Sequence, residues 1–328
     1  MLKETGFSII VPTYNTYESY LRECLDSLTS IKYTNFEVLI IDDGSNDTTK
    51  KILEEYNHFD YLKIIHQENK GISASRFTGI NSSKYGYIMF VDSDDIINSE
   101  ALNVLNDIVI KHNPDFILHS SPRFKDKIDD MKEDNHLFKE GLVDKQDMIK
   151  EILSLHMNGI GNVVAKKSIY KDIDKHIDFS IINGEDLQQT SYIALNSNSF
   201  YYTEFPLDYY RFNEKDRTYY DVTKINEVNF LVPTYKQFFE KQNKYNDLLD
   251  IFLIAAKKAI LYIAFQICLL KIERKDKYKY LDELNKQEIV SIVKKSTNNS
   301  LVDFVFNKFI DKKYLFISLV SILFSIIF

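Results

Sequence analysis

Short β-rich apolar runs alternate with segments of helical periodicity over the first hundred residues of the chain. The runs Phe7 to Pro12, Phe36 to Ile41 and Tyr87 to Val91 are typical of strands. The second of them carries no charge after Glu37, which indicates burial on both faces. Between the first two, Tyr17 to Leu28 places its apolar residues on one helical face. Because parallel strands are joined by helical crossovers, this alternation predicts an α/β fold with a mostly parallel sheet flanked by helices.

The same pattern continues downstream and then gives way to helices. Further strands are predicted at Tyr61–His66, Asp115–Ser120 and Asn162–Ala165, an extended segment at Phe200–Phe212, and helices at Asn46–Tyr56, Ser73–Ser82, Ser99–Lys111 with Ser99 as N-cap, Met148–Met157 and Glu185–Leu195. The last glycine is Gly184, and only two prolines follow it, so a helical subdomain is expected from about Val222. Within it, Leu248 to Leu270 is predicted to be a buried helix.

Composition and charge narrow the class of protein. Apolar residues make up 45% of the 328 residues and charged residues 27%, which is typical of a globular protein and excludes collagen-like and disordered chains. The net charge of −7 argues against a nucleic-acid partner, because such proteins neutralise phosphates with basic side chains. Cys24 and Cys268 cannot build a disulfide framework, and no signal sequence opens the chain, so we expect a cytoplasmic protein.

Polar residues follow three of the predicted strands, at the end where open parallel sheets bind their ligands. They are Pro12 to Asn15, Asp42 to Ser45, and Asp92 to Asp95. The last segment has three carboxylates in four residues, and their repulsion must be relieved by a cation or by hydrogen bonds. Carboxylate oxygens favour Mg²⁺ or Mn²⁺, so a divalent-metal site is one interpretation. A strand-to-helix turn with acidic caps is the other, and taken alone it explains the segment about as well.

Several common ligand-binding motifs do not occur in the sequence. No GxGxxG follows the first strand and no GxxxxGK[ST] occurs anywhere, which excludes the phosphate-binding loops of dinucleotide-binding and P-loop proteins. The seven histidines form no His-x-His or HExxH pair, so a zinc site is not expected. The segment Asp42 to Asp47, by itself, is also compatible with a turn and a helix cap.

Five segments, taken together, resemble the family 2 glycosyltransferases, which are inverting enzymes of the Rossmann-like GT-A fold. They are SIIVPTYN (8–15), IIDDGSNDTT (40–49), NKGISASRFTGI (69–80), YIMFVDSDD (87–95) and NGED (183–186). They occur in the family's order and with its usual spacing, across roughly the first 215 residues. The resemblance implies metal-dependent inverting transfer of a sugar from a nucleotide-diphosphate donor, expected to be a UDP-sugar, to an acceptor hydroxyl.

The resemblance also implies a role for each matching residue on the donor side. Pro12 and Tyr14 would lie against the nucleotide base, and Asp43 would accept a hydrogen bond from the uracil or the ribose. Arg76 would face the diphosphate, as would Lys70 nearby. Arg76 follows Gly71 in the first turns of a helix, where the backbone N–H groups also favour an anion. Taken alone, Arg76 is equally compatible with a solvated position on a helix.

The acidic residues receive the remaining roles. Asp94 matches the metal-binding carboxylate of the family, with Mn²⁺ or Mg²⁺ as the cofactor, and Asp92 matches the carboxylate near the donor sugar and ribose. Inverting transfer needs a base that takes the proton of the acceptor hydroxyl. Asp186, the second acid of the Glu-Asp motif, is the candidate base, and Glu185 is the fallback. An ordinary acidic helix N-terminus would give the same short motif.

The segment Tyr209 to Asn213 resembles the part of the family that often supplies a late basic residue to the diphosphate. Here it continues as Glu214 to Arg217 instead of a short serine-containing loop. This departure leaves both Arg211 and Arg217 as candidates for that role.

Three parts of the chain are predicted. Residues 1–213 form the GT-A catalytic domain, residues 214–313 the helical subdomain, and residues 314–328 an apolar tail. As a helix the tail would be ~22 Å long, shorter than the ~30 Å hydrocarbon core of a membrane. With Lys312 and Lys313 before it, it is typical of an interfacial anchor at the inner face of the cell membrane. The alternative is a helix that packs on the subdomain.

The membrane interpretation bears on the acceptor, which we expect to be a glycan or a lipid-linked precursor of a cell-envelope polysaccharide. The helical part could also form a homo-oligomer.

Two other functions compete with the transferase. The chain could be a catalytically silent nucleotide-sugar-binding assembly subunit, although Asp92, Asp94 and Asp186 are intact. It could also be a sugar nucleotidyltransferase, which the missing glycine-rich phosphate loop disfavours.

Overall fold

The structure is a computed structural model. It describes residues 4–125, 131, 137–155, 159–179, 184–212, 229, 231–240, 243–294 and 301–327. Asn183 of the Glu-Asp motif, Arg217 and much of the charged run between Arg123 and Glu140 therefore lie outside the described residues. The chain divides into two compact units, Met1–Ile149 with Gly159–Glu214, and Lys150–Asn158 with Lys215–Phe328. The three-part division expected from the sequence, with its functional labels, stays a prediction.

Within the described residues, the strands lie in the first unit. They are β1 (Phe7–Thr13), β2 (Phe36–Asp42), β3 (Leu62–His66), β4 (Tyr87–Phe90), β5 (Ile96–Ile97), β6 (Phe116–His119), β7 (Arg123–Phe124), β8 (Gly141–Val143), β9 (Val163–Lys166), β10 (Phe200–Thr203) and β11 (Asp208–Arg211). The main sheet has the order β3-β2-β1-β4-β9-β6-β10-β8, and β5-β11-β7 form a small second sheet. In the main sheet β1 to β4 are parallel, whereas β9 is antiparallel to both β4 and β6. The predicted mixed α/β architecture is confirmed.

The helices are distributed over both units. They are α1 (Glu18–Thr29), α2 (Asp47–Tyr56), α3 (Ile72–Ser82), α4 (Ala101–His112), α5 (Lys145–Leu153), α6 (Glu185–Asn196), α7 (Leu231–Tyr235), α8 (Leu249–Leu269), α9 (Arg274–Asn285), α10 (Glu288–Val293), α11 (Leu301–Ile310) and α12 (Tyr314–Ile327). One predicted cap is wrong. Helix α4 begins two residues after Ser99, and its N-cap is Glu100, because the side chain of Asn98 accepts the hydrogen bond of the Glu100 N–H.

The central strands are buried on both faces, as expected from their uninterrupted apolar sequence. Every residue of β1 and β2 is buried, and their register pairs Phe7 with Phe36 and Thr13 with Asp42. The two strands therefore end side by side. Helix α3 packs on β1 at Gly79, where a Cβ atom would lie only 2.3 Å from Cγ2 of Ile10. This close approach brings the beginning of α3 near the strand ends.

The second unit is helical, as the sequence predicted, and α8 lies at its centre, in contact with α9, α10, α11 and α12. The tail helix α12 packs against α8, with Tyr314 and Ile317 buried, and Tyr314 donates a hydrogen bond to Asp282. The tail is therefore a helix that packs on the subdomain, which was the alternative to an interfacial anchor. Contact of the tail with a membrane stays a prediction. In the part of the chain that the structure describes, no helix combines the length and apolarity needed to cross a membrane.

Candidate active site

Hydrogen bonds join the three loops that follow β1, β2 and β4. Asn15 adopts a left-handed conformation, with φ 50°. Its N–H donates to Oγ of Ser45 at 3.1 Å, and its side-chain oxygen accepts from the N–H of Asn46 at 2.8 Å. The hydroxyls of Thr16 and Ser93 share a hydrogen bond of 2.6 Å. The three polar segments singled out in the sequence thus form one connected surface at the carboxyl edge of the sheet.

The end of β1 presents the two residues predicted to contact the nucleotide base. Pro12 is buried in the strand, whereas the side chain of Tyr14 is 53% exposed and free to contact a ligand. Asp42, at the end of β2, is fully buried and accepts hydrogen bonds from the Ser45 N–H and from Nδ1 of His66. Burial raises the pKa of Asp42, but these hydrogen bonds outweigh it and hold the pKa below its usual range.

Asp43 organises the loop that leads into α3. Its carboxylate accepts from the side chain of Gln67 at 2.7 Å, the Lys70 N–H at 2.9 Å and the Gly71 N–H at 2.8 Å. These bonds hold the backbone of Lys70 and the start of α3 in place, while the side chain of Lys70 is exposed. The sequence predicted a contact between Asp43 and the nucleotide, and that contact stays a prediction alongside the loop-building role.

Arg76 projects from α3 into a group of carboxylates that come from two other parts of the chain. Its Nη1 atom donates to Oδ1 of Asp186 at 2.5 Å, and Oε1 of Glu185 is 3.7 Å from the same nitrogen. Its Nη2 atom lies 3.6 Å from Oδ1 of Asp92. Burial of Arg76, which is 2% exposed, lowers its pKa, but the three carboxylates raise it more. Arg76 therefore connects the β4 loop to the Glu-Asp motif.

Helix α6 carries the Glu-Asp motif at its first two residues, directly after Gly184 with φ 85°. The side chain of Asp186 is 30% exposed, and that of Glu185 is 13% exposed. Burial and the neighbouring Asp186 raise the pKa of Glu185 to about 8, although Arg76 opposes the shift. The shift favours the protonated form of Glu185 near neutral pH.

The acidic turn after β4 contains residues in different environments. The side chain of Asp92 is 37% exposed, and its pKa is raised by desolvation and by Asp186, although Arg76 lowers it. Asp95 is buried, and desolvation together with Asp92 and other acids raises its pKa well above the usual range. Its Oδ1 atom accepts from the backbone N–H of Arg211 at 2.8 Å, which ties β11 to the turn.

The guanidinium of Arg211 supports this turn from the protein interior. It is 3% exposed and lies between two aromatic rings, with Cζ 4.3 Å from the centre of Tyr20 and 4.5 Å from that of Phe124. Nε donates to the backbone oxygen of Asp94 at 2.8 Å, and Nη2 to Glu23 at 2.6 Å. This geometry favours a role in positioning Asp94. The other late basic candidate, Arg217, lies outside the described residues.

Sequence reasoning missed a second buried carboxylate behind the turn. Asp208, the first residue of β11, is 3% exposed, and its Oδ1 atom lies 3.9 Å from Nδ1 of His119. Burial raises the pKa of Asp208, and His119 lowers it. The only signal in the sequence was one acid, Asp208, directly before two tyrosines, and this pattern does not identify His119 as its partner.

Comparisons with known proteins identify the family of the chain. The model of the family described as Glycosyl transferase family 2 matches residues 8–174, about half of the chain. The glycosyltransferase GlyA of Streptococcus pneumoniae is 40% identical over 116 residues, covering 35% of this chain and 16% of that protein. The poly(ribitol-phosphate) beta-N-acetylglucosaminyltransferase TarS of Staphylococcus aureus is 38% identical over 116 residues, 34% of this chain and 20% of TarS. The matches therefore span only a small part of these relatives.

Solved structures agree over nearly the whole chain. The crystal structure of residues 1–349 of S. aureus TarS has a TM-score of 0.74 at 21% identity and covers 98% of this chain and 91% of that one. The same fragment in complex with UDP-GlcNAc has a TM-score of 0.76. At this level of identity the likeness establishes the fold, which is the expected GT-A architecture followed by helices. Because the family model matches about half of its residues, the chain belongs to glycosyl transferase family 2.

Proposed function

We propose that the chain transfers a sugar, with inversion, from a nucleotide-diphosphate donor to an acceptor hydroxyl in a metal-dependent reaction. The observation that carries the proposal is the position of Arg76, within 4 Å of Asp92, Glu185 and Asp186. Through Arg76, the acidic turn and the Glu-Asp motif meet at the carboxyl edge of the sheet, where open α/β sheets bind ligands. The presence of intact Asp92, Asp94 and Asp186 disfavours a catalytically silent binding subunit.

The donor is assigned to the surface formed by the three connected loops. Tyr14 is the exposed ring for the base, and the loop braced by Asp43 brings Lys70 and Arg76 toward the diphosphate. We propose UDP as the nucleotide and UDP-GlcNAc as the first donor to test, because structures of the similar TarS fragment were solved with both. Asp92 is assigned to the donor sugar and ribose.

Asp186 is proposed as the base. The acceptor oxygen attacks the anomeric carbon, the bond from that carbon to the diphosphate oxygen breaks, and the diphosphate leaves with the electron pair. The proton of the acceptor hydroxyl passes to Asp186. Arg76 holds this carboxylate in one orientation through the hydrogen bond from its Nη1 atom.

The residues of the acidic turn fit a divalent cation of the Mg²⁺ or Mn²⁺ class. Such ions take one or two carboxylates and complete their shell with substrate phosphates and water. Asp94, with Asp92 beside it, provides that number of oxygen donors, and a cation there would offset the burial and the neighbouring Asp186 that raise the pKa of Asp92. Among the described residues, no three or more His, Cys, Asp or Glu side chains are grouped so that they could hold a metal ion. Substrate oxygens would therefore complete the coordination shell of the cation. When bound, the cation would stabilise the charge of the leaving diphosphate.

We propose a hydroxyl of a cell-envelope glycan or lipid-linked precursor as the acceptor, and the inner face of the membrane as the place of reaction. The support is the similarity to TarS, a poly(ribitol-phosphate) beta-N-acetylglucosaminyltransferase. The sequence identity to TarS covers about a third of this chain, so the acceptor class is part of the proposal.

A thermal-shift panel of nucleotide sugars with and without Mn²⁺ tests the donor site. A donor at ~100 times its Kd should stabilise the fold by ~2.7 kcal/mol. We expect a Mn²⁺-dependent shift with one UDP-sugar that is lost in Asp94→Asn and kept in Asp47→Asn, which changes an exposed acid at the start of α2. The absence of any shift in folded wild-type protein would overturn the proposal, and binding without turnover on any acceptor would favour the silent subunit.

A further inference from the structure

Charge is divided unevenly between the two units. The segments 150–158 and 215–328 contain 20 basic and 14 acidic residues, a net charge of +6. Because the whole chain has a net charge of −7, the remaining segments carry −13. Charge asymmetry of this size indicates an electrostatic partner for the basic part.

Helix α11 exposes apolar side chains on one face although its other face is firmly packed. On the packed face, Asp303 pairs with the buried Lys257 of α8 at 2.5 Å, and Phe309 is fully buried. On the opposite face Leu301 is 77% exposed and Phe304 is 50% exposed. The burial of Asp303 fixes the rotation of α11, so this apolar face cannot turn inward.

The exposed face continues onto α12. The ring of Phe304 meets that of Phe316 at 5.9 Å, and Leu315 beside it is 55% exposed. Two lysines border these residues, Lys308, whose Nζ atom lies 5.2 Å from the centre of the Phe304 ring, and the exposed Lys313. We call Leu301, Phe304, Lys308, Lys313 and Leu315 the α11–α12 surface.

We propose that the α11–α12 surface docks the protein on an anionic lipid bilayer. Leu301, Phe304 and Leu315 would enter the boundary between headgroups and acyl chains, while Lys308 and Lys313 contact lipid phosphates. Exposed apolar side chains bordered by lysines are the pattern of interfacial helices, whose binding sums apolar burial and attraction to anionic lipid. The inference goes beyond the proposed transferase activity and does not depend on it.

Electrostatics distinguishes this occupant from a second copy of the chain. A two-fold contact through this face would bring Lys308 and Lys313 of two copies together, and their like charges repel, whereas the same two lysines attract the phosphates of an anionic bilayer. Each lysine near such a surface contributes a factor of about five in binding.

The test is co-sedimentation of the full chain with vesicles of phosphatidylcholine, with or without phosphatidylglycerol. We expect wild type to bind the anionic vesicles and to lose binding as salt rises. The variant Leu301→Glu/Phe304→Glu should lose binding at least tenfold, and Lys308→Ala and Lys313→Ala should each weaken it about fivefold. Leu142→Glu, at a 65% exposed leucine of β8 in the first unit, is the matched control and should bind like wild type.

Circular dichroism and melting of each variant confirm folding, and size-exclusion chromatography follows self-association. Equal binding by wild type and Leu301→Glu/Phe304→Glu would overturn the proposal. The proposal would also be overturned if neither wild type nor the variant bound vesicles and wild type formed a dimer that the variant did not form. That outcome would assign the surface to a second copy of the chain. Donor binding is measured separately without lipid, so failure of the transferase proposal leaves this outcome unaffected.

Discussion

Nη1 of Arg76 donates to Oδ1 of Asp186 at 2.5 Å, although the two residues are 110 positions apart in the chain. This contact joins α3, which begins the proposed diphosphate site, to α6, which carries the proposed base. Truncating either side chain therefore changes both the electrostatics and the geometry of the site, whereas asparagine at position 186 keeps an oxygen that can accept from Arg76.

Replacing Arg76 with alanine leaves Asp92, Glu185 and Asp186 without their shared cation. Loss of one member of a buried ion-pair group typically costs about 3 kcal/mol or more, so we expect a clear decrease in the free energy of unfolding and loss of transfer. Urea denaturation measures the change. Arg22→Ala is the control, because Arg22 also pairs with two carboxylates but lies on the surface, and it should change little. Equal effects of the two variants would contradict the assignment.

Asp186→Asn should separate binding from chemistry. Asparagine keeps the shape of the side chain but cannot take the acceptor proton, so we expect transfer to fall by about 10²- to 10⁴-fold. Donor binding, followed by thermal shift, should stay within a few-fold of wild type. If Asp186→Asn transfers normally while Glu185→Gln does not, the base is Glu185.

Asp43→Asn tests the loop before α3. An amide has one acceptor oxygen for the three donors from Gln67, Lys70 and Gly71, so at least one partly buried donor loses its partner, which costs about 1 kcal/mol. We expect lower stability and weaker donor binding together. Asp47→Asn is the control, because Asp47 is an exposed acid in the segment that follows β2, and it should change neither the stability nor the donor binding.

Glu185 makes stability depend on pH. Its pKa is about 8 in the folded protein and near 4.5 when unfolded, so the folded state holds the proton more tightly. The contribution of Glu185 to the free energy of unfolding is fully present below about pH 4.5, and it is lost as the pH rises toward about 8. Glutamine does not titrate, so Glu185→Gln should gain stability relative to wild type between about pH 5 and about pH 8 in urea denaturation. A difference that stays constant with pH would show that the group does not titrate in this window.

Arg211→Lys should affect the cation more than the nucleotide. Lysine can form neither the stacked contact with Tyr20 and Phe124 nor both hydrogen bonds to Asp94 and Glu23, so the acidic turn loses its support. We expect the apparent affinity for Mn²⁺ to decrease in titrations of donor binding, while UDP binding without metal is unchanged. Weaker UDP binding without metal would instead indicate direct contact with the diphosphate.

The local pattern of the sequence determined the first half of the architecture. Apolar runs such as Phe36 to Ile41 predicted strands buried on both faces, and β2 is buried throughout. Since the strands are parallel, the polar segments that follow them had to meet at one edge, and hydrogen bonds between Asn15 and Ser45 join two of them. These features follow from short-range periodicity and turn chemistry, which are written in neighbouring residues.

The partners of charged residues were decided only by the tertiary structure. The sequence placed Arg76 and Arg211 as candidates for the diphosphate, but it could not show that Arg76 meets Asp186 or that Arg211 lies between Tyr20 and Phe124. Nor could it choose between an anchor and a packed helix for the tail, which packs on α8. Such contacts join residues tens to hundreds of positions apart. They depend on the register of the sheet and on how each helix is rotated by its buried face, and no local pattern encodes either.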